Sequence, residues 1–548
     1  MPLQKNQVLT LQVERLSSDG SGVAHSPEGE TVFIPGAAPG DEARVRIVKD
    51  CKRYAFGILD EVLTPSPDRI PVDCAVAGPC GGCSLRHLDY AAELRAKQEN
   101  VADAFARIGG LDVPVLPIVG SPEIDRYRNK VQFPVGTDKA GRPCIGFYAG
   151  RTHRIVPCPD CRLQPGILNE IGNTLCAFFA EKGIHPYNEE TGKGLVRHIF
   201  LRRGAHSGQI MVCLVCTRAK LPSAEELCTR LKEAFPDIVT ILLNVNAKNT
   251  NVILGSETHT LYGQGYIEDT LCGVPVQLGP LSFYQVNTLA AEQLYGIAAE
   301  YAQLTPDDLL LDLYCGMGTI GLSMADHCRE LVGVEIVPEA IESAKANAAR
   351  MGAAVSAKSR FFCADAGQAA AQLAAEGLHP DIVMLDPPRK GCDEATLSAV
   401  VRMAPRRVVY VSCNPATAAR DAAWLEQNGY HAEKVQPVDL FPRTKHVETV
   451  VLLSQQKPDD TIEIDLDLDE LDATAAETKA TYEEIKAYIW DTHHLKISSL
   501  YISQIKRKCG LEVGQNYNLS KSENPKVPKC PPEKEAAIMD ALKHFQMI

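Results

Sequence analysis

Polar and hydrophobic residues alternate near the start of the chain. Leu9, Leu11 and Val13 are separated by polar residues, which is the pattern of a strand with one buried face. Glycine-containing turns separate this stretch from further alternating stretches. Residues 1–64 are therefore predicted to form a small β-barrel, either of the oligonucleotide-binding type or of another small all-β class.

Further along the chain, hydrophobic residues recur at the spacing of an α-helix. Residues 90–108 carry hydrophobic residues at helical spacing, and a pair of glycines follows, where a helix would end. The apolar face predicted for this helix consists of Leu94, Val101, Phe105 and Ile108. Residues 65–290 as a whole are predicted to form an α+β central domain.

Three apolar runs within residues 291–456 are each followed at once by a turn. The runs at 309–313, 382–385 and 408–411 have the length and composition of buried strands. In open α/β sheets, ligands bind at the carboxyl ends of the strands. This part of the chain is therefore predicted to be a Rossmann-like α/β domain whose site is built from these turns.

The turns in this domain also indicate which cofactor it binds. Residues 314–321 contain glycines that let a backbone approach a ligand, and Glu335 ends the next strand about 20 residues later, where an acid can bind ribose hydroxyls. These features fit NAD and S-adenosyl-L-methionine (SAM) equally. The Asp-Pro-Pro-Arg turn at 386–389 favours a methyltransferase. Methyltransferases of exocyclic amines place an aromatic residue where this chain has Arg389, so a different target atom is expected.

Two residues near the end of this domain are candidates for catalysis. Cys413 follows a buried strand and precedes Asn414 and Pro415, so it is expected at the ligand-binding edge of the sheet. It is either a buried thiol packed as a small hydrophobe or a nucleophile, and the neighbouring motifs favour the nucleophile. Glu448 is a lone acid among valines, which suits either a surface position or a general base.

The chain has 19 cysteines among 548 residues, a length that predicts three or four domains. Its first residues lack the apolar core of a signal peptide, so a cytoplasmic location is expected. Cysteines in that compartment are more often metal ligands, nucleophiles or buried thiols than disulfides. Cysteines that lie close together in this chain are therefore predicted to be metal ligands or nucleophiles rather than partners in disulfides.

One such group is Cys74, Cys80 and Cys83, with two glycines between the last two thiols. Three thiols at this spacing predict a soft-metal site that needs a fourth ligand, for which Cys158 and Cys161 are candidates. Zinc would accept four thiolates, but it usually binds two paired Cys motifs. A compact trio with one distant cysteine favours an iron–sulfur cluster.

The charge of the chain is unevenly distributed. Its net charge of −13 argues against a nucleic-acid partner, yet basic residues cluster at 126–130, 151–154 and 197–203 within the central domain. Cations interleaved with aromatic rings suit phosphates and unstacked bases. A single basic cluster is usually a solvated face, whereas three in one domain favour RNA as the partner.

Taken in chain order, these motifs resemble those of the bacterial RNA uracil-5-methyltransferases, and in particular the iron–sulfur type that acts on ribosomal RNA. The resemblance runs from about residue 7 to residue 454. It implies that the N-terminal barrel is a TRAM domain. The motifs that carry it are the barrel, the Cys trio, Tyr127–Lys130, Phe283–Asn287, 312–318, 386–389, 412–415 and His446–Thr449.

The resemblance also implies roles for individual residues. Cys413 would be the nucleophile and Glu448 the general base for making 5-methyluridine in 23S ribosomal RNA. The residues implied to surround SAM are Gln285, Tyr314, Thr319, Glu335, Asp365 and Asp386. The residues implied to bind a [4Fe-4S] cluster are Cys74, Cys80, Cys83 and Cys161, the last because an apolar residue and a glutamine follow it closely.

Three other functions remain open. The chain could methylate another RNA such as tRNA, or it could be a catalytically silent RNA-binding protein with an iron–sulfur module. The presence of both Cys413 and Glu448 argues against the silent protein. A redox enzyme that uses a dinucleotide ranks last, because it gives no role to the turns at 386–389 and 412–415. A monomer that does not bind membranes is expected.

The resemblance ends near residue 456. Residues 457–478 are rich in acids and are predicted to form a solvated linker, since like charges repel. Two helices, at 481–495 and 498–508, are predicted in an accessory helical module over residues 479–548. That module carries 11 Lys and Arg against 8 Asp and Glu, a net charge of +3. Its basic residues either contact RNA or only cap a helix terminus.

Overall fold

The structure is a computed structural model that describes residues 3–150, 152–248, 251–456, 481–509, 511, 530–545 and 547–548. The predicted acidic linker at 457–478 lies outside these residues. The chain divides into two units, Met1–Asp459 and Asp460–Ile548. The finer boundaries proposed within the first unit stay predictions.

The alternating residues near the N-terminus form a closed five-stranded barrel with strand order β1-β2-β3-β5-β4. Leu11 and Val13 point into its core, as their alternation predicts. The barrel is thus built from half-buried strands whose polar residues face solvent. Its strands are β1 Val8–Leu16, β2 Ser21–His25, β3 Thr31–Pro35, β4 Glu42–Asp50 and β5 Tyr54–Thr64.

The helix after the barrel differs from its prediction. Helix α1 spans Tyr90–Ala104 and continues into one π-helical turn, Phe105–Gly109. Val101 and Phe105 are buried, but Ile108 is 57% exposed. The buried face instead includes Glu93 and Lys97, whose charges are paired. The predicted apolar face is therefore wrong at Ile108, where the π-helical turn Phe105–Gly109 departs from the α-helical spacing on which the prediction depends.

The central domain contains a seven-stranded sheet of order β12-β11-β10-β9-β6-β7-β8, and helix α2 packs against β7 and β9. Every neighbouring pair is antiparallel except β10 and β11. Its strands are β6 Lys130–Thr137, β7 Pro143–Tyr148, β8 Ile155–Pro157, β9 Val196–Arg203, β10 Ile210–Cys216, β11 Ile238–Val245 and β12 Glu257–Tyr262; its helices are α2 Gly166–Glu181 and α3 Ala224–Ala234.

Part of the predicted basic surface of this domain points inward. Arg197 and Arg202 are 6% and 1% exposed. Arg202 donates to the carbonyl oxygens of Gly279 and Ser282, at 2.9 and 2.7 Å. These arginines therefore hold loops of the chain, and the expectation that the whole 197–203 cluster faces RNA is wrong for both.

The second large sheet has the order β17-β16-β15-β18-β19-β21-β20. Strands β15 to β19 are parallel and β21 is antiparallel to both neighbours, which confirms the predicted α/β sheet. Before it come the hairpin β13 Ile267–Leu271 and β14 Val274–Leu278, and helix α4 Thr288–Ala302. The sheet contains β15 Leu309–Leu313, β16 Glu330–Glu335, β17 Ser359–Cys363, β18 Ile382–Leu385, β19 Arg407–Ser412, β20 Tyr430–Val438 and β21 Glu448–Gln455.

Helices cover both faces of this sheet, so apolar cores lie on either side of it. Two of them begin at Thr319 and Pro415, within the turns at 314–321 and 412–415 that the sequence singles out. The bounds of these helices are α5 Thr319–Ser323, α6 Pro338–Met351, α7 Ala353–Lys358, α8 Ala366–Ala375, α9 Glu394–Met403 and α10 Pro415–Glu426.

The second unit contains helices α11 Tyr482–His493, α12 Ser499–Lys508 and α13 Pro532–His544. Thr481 and Glu484 cap α11 reciprocally, which satisfies two backbone donors at its start. Ile485, Ile502 and Ile538 lie in a core of this unit's own. The last helix, α13, adds an element that the sequence patterns do not anticipate.

Among the described residues, no helix is both long enough and apolar enough to cross a bilayer.

Candidate active site and thiol cavity

The register of the second sheet brings Cys413 and Glu448 together. Ser412, at the end of β19, pairs with Thr449 near the start of the antiparallel strand β21. The residues just beyond this pair, Cys413 and Glu448, therefore meet at the carboxyl edge of the parallel strands. Leu385, which ends β18, pairs with Tyr410 of β19, so the turn that begins at Asp386 opens at the same edge.

The thiol of Cys413 is half-buried among charged groups. Burial raises its pKa above the ordinary 9.0, and the carboxylates of Glu448 and Asp386 raise it further. Arg389 opposes these effects, because its side chain donates a hydrogen bond to the thiol and its positive charge favours the thiolate. The four residues thus form one electrostatic group around a candidate nucleophile.

The two turns that carry Arg389 and Cys413 are tied together by α10. Asn414 caps this helix by accepting from the backbone amide of Ala416 at 3.2 Å. Its side-chain amide also donates to the carbonyl oxygen of Arg389 at 3.0 Å. Arg420, one turn further on, donates to the carbonyl of Lys390 at 3.1 Å. One helix therefore fixes the spacing between the two turns.

Glu448 is 6% exposed, and this burial makes its carboxyl a weaker acid than usual. Burial is the main cause that raises its pKa, to about 8, and the nearby Asp386 adds to it while Arg389 opposes it. Burial also raises the pKa of Asp386, to about 7. A carboxyl that exchanges its proton near neutral pH is suited to general acid–base work.

The glycine turn after β15 has the strained backbone that close approach to a ligand requires. Tyr314 adopts a left-handed φ of 66°, and Gly316 and Gly318 follow at 56° and 77°. The backbone amide of Gly316 donates to Glu335 at the end of β16, at 3.2 Å. Thr319 is buried at the first position of α5. Tyr314, Thr319 and Glu335 therefore lie around one glycine turn, and their role in binding a cofactor stays a prediction.

Two more of the residues implied to bind SAM, Asp365 and Gln285, lie on different elements. Asp365 caps α8 by accepting from the amides of Gly367 and Gln368, and it follows β17 next to the strand of Glu335. The backbone carbonyl of Gln285 accepts from the side chain of Asn129 at 2.8 Å. Gln285 therefore lies on a loop that the central domain holds, separately from the sheet.

Sequence reasoning missed one buried acid behind the glycine turn. Asp312 is 1% exposed and accepts from the backbone amide of Gly321 at 3.0 Å. Burial raises its pKa to about 8, and the amide of Gly321 opposes this rise. Its only sequence signal is an acid inside the apolar run 309–313. It lies beneath the cofactor turn and holds the start of α5.

The predicted cluster ligands line one cavity of about 280 Å³ in the central domain. Cys158 lines it as well, so five thiols meet there rather than four. Cations surround the same cavity, and two of them, Arg128 and Lys130, belong to the basic cluster at 126–130 that the sequence singles out. The thiols are Cys74, Cys80, Cys83, Cys158 and Cys161, and the cations are Arg86, Arg128, Lys130 and Arg162.

The two neighbouring thiols of the Cys-Pro-Asp-Cys segment differ in acidity. Cys158 donates a hydrogen bond to the sulfur of Cys161, which is the main cause that lowers the pKa of Cys161 to about 7. The same bond and burial raise the pKa of Cys158. The two thiols are thus close enough to share a proton, and both border the cavity.

Within the described ranges, no group of three or more His, Cys, Asp or Glu side chains is arranged to hold a metal ion. The five thiols instead border a common space. Arg86 lies beside Cys83 and forms ion pairs with Asp73 and Asp125 at 2.8 and 2.5 Å. In the sequence, the position of Arg86 three residues after Cys83 is the feature that indicates this contact.

Two protein-family models match the chain. The model described as tRNA (Uracil-5-)-methyltransferase matches residues 277–456, which include the sheet edge with Cys413 and Glu448. The model of the TRAM domain matches residues 2–59, which form the barrel. The predicted TRAM barrel is therefore confirmed.

Curated relatives match most of the chain. An uncharacterized RNA methyltransferase of Halalkalibacterium halodurans is 43% identical over 453 residues, which are 82% of this chain and 98% of the relative. A protein of the same description from Clostridium tetani is 41% identical over 454 residues, 83% of this chain and 98% of the relative.

A solved structure agrees with these matches. It is that of the Pyrococcus abyssi tRNA (uracil-54, C5)-methyltransferase in complex with S-adenosyl-L-homocysteine. The similarity has a TM-score of 0.64 and 28% identity, and it covers 82% of this chain and all of the other. Relatives matched over nearly their whole length, together with a family model over the catalytic sheet, establish that this chain belongs to the SAM-dependent RNA (uracil-5-)-methyltransferase family.

Proposed function

We propose that the protein transfers a methyl group from SAM to carbon 5 of a uridine in 23S ribosomal RNA through a covalent Cys413 adduct. The observation that carries the proposal is the meeting of Cys413, Arg389 and Glu448 at one sheet edge. A thiol, a cation that favours its thiolate and a carboxyl of raised pKa are the groups that this chemistry requires.

Carbon 5 of uracil is a weak nucleophile, so it needs activation. The Cys413 thiolate adds to carbon 6 and generates an enolate, whose carbon 5 attacks the methyl group of SAM and releases S-adenosyl-L-homocysteine. Glu448 then takes the proton from carbon 5. The electrons of that C–H bond restore the carbon 5–carbon 6 double bond and expel the Cys413 thiolate. Asp386 is proposed to orient the thiolate or the uracil edge.

The proposed cofactor contacts follow the order of the sheet. Glu335 lies at the end of β16, the usual place for an acid that binds ribose, and Asp365 follows at the end of β17. Tyr314 and Thr319 border the glycine turn, where the backbone can approach the methionine part of SAM. Gln285 would close the site from the central-domain side.

We also propose that Cys74, Cys80, Cys83 and Cys161 hold a [4Fe-4S] cluster. Four cysteines that border one cavity suit such a cluster, and the surrounding cations would offset the negative charge of its thiolates. When bound, the cluster would supply a crosslink between the Cys trio and the later segment of Cys161. Anaerobic purification should give iron and acid-labile sulfide at about four each per chain, and zinc in their place would refute the assignment.

The choice of RNA has two candidates. The resemblance to the iron–sulfur ribosomal type supports 23S RNA. The name of the solved relative and the description of the family model both point to tRNA, which is therefore the second candidate. We propose that the protein acts as a monomer in the cytoplasm.

Mechanism-based trapping tests the proposal. Transcripts of 23S RNA and of tRNA that contain 5-fluorouridine are incubated with SAM and the intact protein and then run on denaturing gels. Fluorine cannot leave as a proton, so a protein–RNA adduct should persist on the true substrate. It should be absent with Cys413→Ala. SAM binding with no adduct on either RNA would favour a silent RNA-binding protein.

A further inference from the structure

The loop between β20 and β21 ends at Glu448 and is held by a buried group of charges. Val438 and Glu448 pair across the two strands, so residues 439–447 form the connection. We propose that Lys97, on α1 of the central domain, is a positioning residue that sets the place of Glu448 through this loop. The inference rests on the proposed role of Glu448 as the base.

Lys97 lies where a lysine is rarely found, at 1% exposure. Its ammonium group donates to Glu93 and to Asp439, each at 2.8 Å, and both carboxylates are fully buried. It also donates to the backbone carbonyl of Phe441 at 3.2 Å. One cation thus joins α1 to two points of the loop, about 340 residues further along the chain.

The partners of Lys97 hold the rest of the loop. Glu93 accepts from the backbone amide of Arg443 at 2.7 Å, and Arg443 has a left-handed φ of 68°. The guanidinium of Arg443 donates to the carbonyl of Leu88 at 3.0 Å. Tyr90 donates to the second oxygen of Asp439 at 2.9 Å. The strained middle of the loop and its first residue are therefore both fixed to α1.

The free-energy cost of burying Lys97 with its two carboxylates indicates that this group fixes the position of the loop rather than adding stability. Taking an ammonium and two carboxylates out of water costs several kcal/mol per ion, and well-packed apolar residues would often stabilise the same space better. A buried charge group of this kind holds its partners at fixed distances and directions. Its effect should therefore fall on the residue that the loop delivers, Glu448.

Because the chemical steps occur in a fixed order, a role of Lys97 in positioning Glu448 can be distinguished from a general contribution of Lys97 to protein stability. Thiolate addition and methyl transfer depend on Cys413 and Arg389, whose turns are held by α10. Removal of the carbon 5 proton is the step that needs the Glu448 carboxyl in place, whereas the earlier steps are affected by Glu448 only through its charge near the Cys413 thiol. A displaced Glu448 should therefore let the methylated adduct form and slow its release.

The test compares Lys97→Met with Arg95→Met, which changes an exposed cation on the same helix. Single-turnover reactions with unmodified RNA and methyl-labelled SAM measure methyl transfer, and denaturing gels measure the persisting adduct. Lys97→Met should slow adduct release by about tenfold or more, since a placed base contributes about a hundredfold or more, while methyl transfer changes by about threefold or less. Arg95→Met should match the wild type in both.

Two further variants distinguish the possible failures. Glu448→Gln should accumulate the adduct. If it does not, or if the wild type transfers no methyl group, the proposed function fails. If Glu448→Gln accumulates adduct but Lys97→Met slows transfer and release equally, Lys97 is only structural. If Lys97→Met folds poorly, Asp439→Asn is tested in its place. This variant removes the negative charge that pairs with Lys97 but keeps an oxygen that can accept a hydrogen bond, and it must slow adduct release selectively in the same way.

Discussion

At the scale of single residues, the reactivity of Cys413 depends on opposing charges. Glu448 and Asp386 raise the pKa of its thiol and Arg389 lowers it. We predict that Arg389→Met raises the thiol pKa and slows alkylation of Cys413 by iodoacetamide roughly threefold at pH 7.5, less than the tenfold of a full pKa unit because Arg389 is exposed. The rate is measured against pH by mass spectrometry of the Cys413 peptide.

Lys390 provides the matched control, since it is also exposed and adjacent in the same turn. Lys390→Met should leave the alkylation profile of Cys413 unchanged. Equal slowing in both variants would mean that the general positive field of the turn, rather than the hydrogen bond from Arg389, acts on the thiol.

Glu448 links the active site to the pH dependence of stability. Its pKa is about 8 when folded, against 4.5 as the ordinary value, so between these pH values the folded state holds one proton more than the unfolded state. The free energy of unfolding contributed by this group therefore falls as pH rises, by up to about 1.4 kcal/mol per pH unit. We predict that Glu448→Gln stabilises the protein at pH 8 to 9 relative to the wild type.

Urea unfolding of both proteins from pH 4.5 to 9 measures this effect. The stability difference should be smallest at the acid end and grow with pH up to about 8, since glutamine does not titrate. A difference that stays constant across the range would show that the carboxyl ionises normally and would remove the argument for Glu448 as a base tuned to neutral pH.

At the scale of elements, α10 performs two tasks through one side chain. Asn414 caps the helix and donates to the carbonyl of Arg389. We predict that Asn414→Ala lowers the free energy of unfolding by about 1 kcal/mol and also slows adduct formation. Asn414→Ser keeps a capping oxygen but is too short to replace the amide donor. It should recover stability while adduct formation stays slow, as followed with 5-fluorouridine RNA.

The elements also show which features the sequence predicts well. The apolar runs at 309–313 and 382–385 are strands with the predicted bounds, because local hydrophobicity alone is enough to mark a buried strand. Their turns lie where parallel strands end, so the motifs converge as predicted. Cys413 and Glu448 meet because β21 is antiparallel, and the resemblance, rather than any local pattern, anticipated this pairing.

Long-range ionic partners account for the features that were missed. Lys97 and Arg202 are charged, and local composition places such residues at the surface. Their partners are a carboxylate at Asp439 and backbone carbonyls at Gly279 and Ser282, which lie far away in the chain. No periodicity in residues 90–108 or 197–203 carries information about them. Buried charges were therefore the main source of error.

At the scale of the whole molecule, the matches to the curated relatives are about as long as the first unit, Met1–Asp459. Matches of 453 and 454 residues cover 98% of two relatives but only 82% and 83% of this chain. The second unit has its own core, formed by α11, α12 and α13. We therefore expect the first unit to fold and to methylate a short RNA substrate without the second.

The second unit is proposed to add affinity for RNA. The part of it that follows the acidic stretch, residues 479–548, has a net charge of +3, and Arg507 and Lys508 are exposed at the end of α12. We predict that deleting 457–548 weakens binding of the full ribosomal RNA and makes the dependence of log affinity on log salt shallower by about 2 to 3, as expected for a few lost phosphate contacts. Turnover at saturating short RNA should not change.

Removal of only the acidic residues 457–478 is the control for this deletion. It takes away negative charge that phosphates repel, so binding should be equal or tighter and the salt slope should be retained. If the full deletion leaves both affinity and salt slope unchanged, the cations of α12 only interact with the carbonyl end of their own helix, where Lys508 already pairs with Glu535. Fluorescence anisotropy at four salt concentrations, with the three chains measured side by side, distinguishes the two roles.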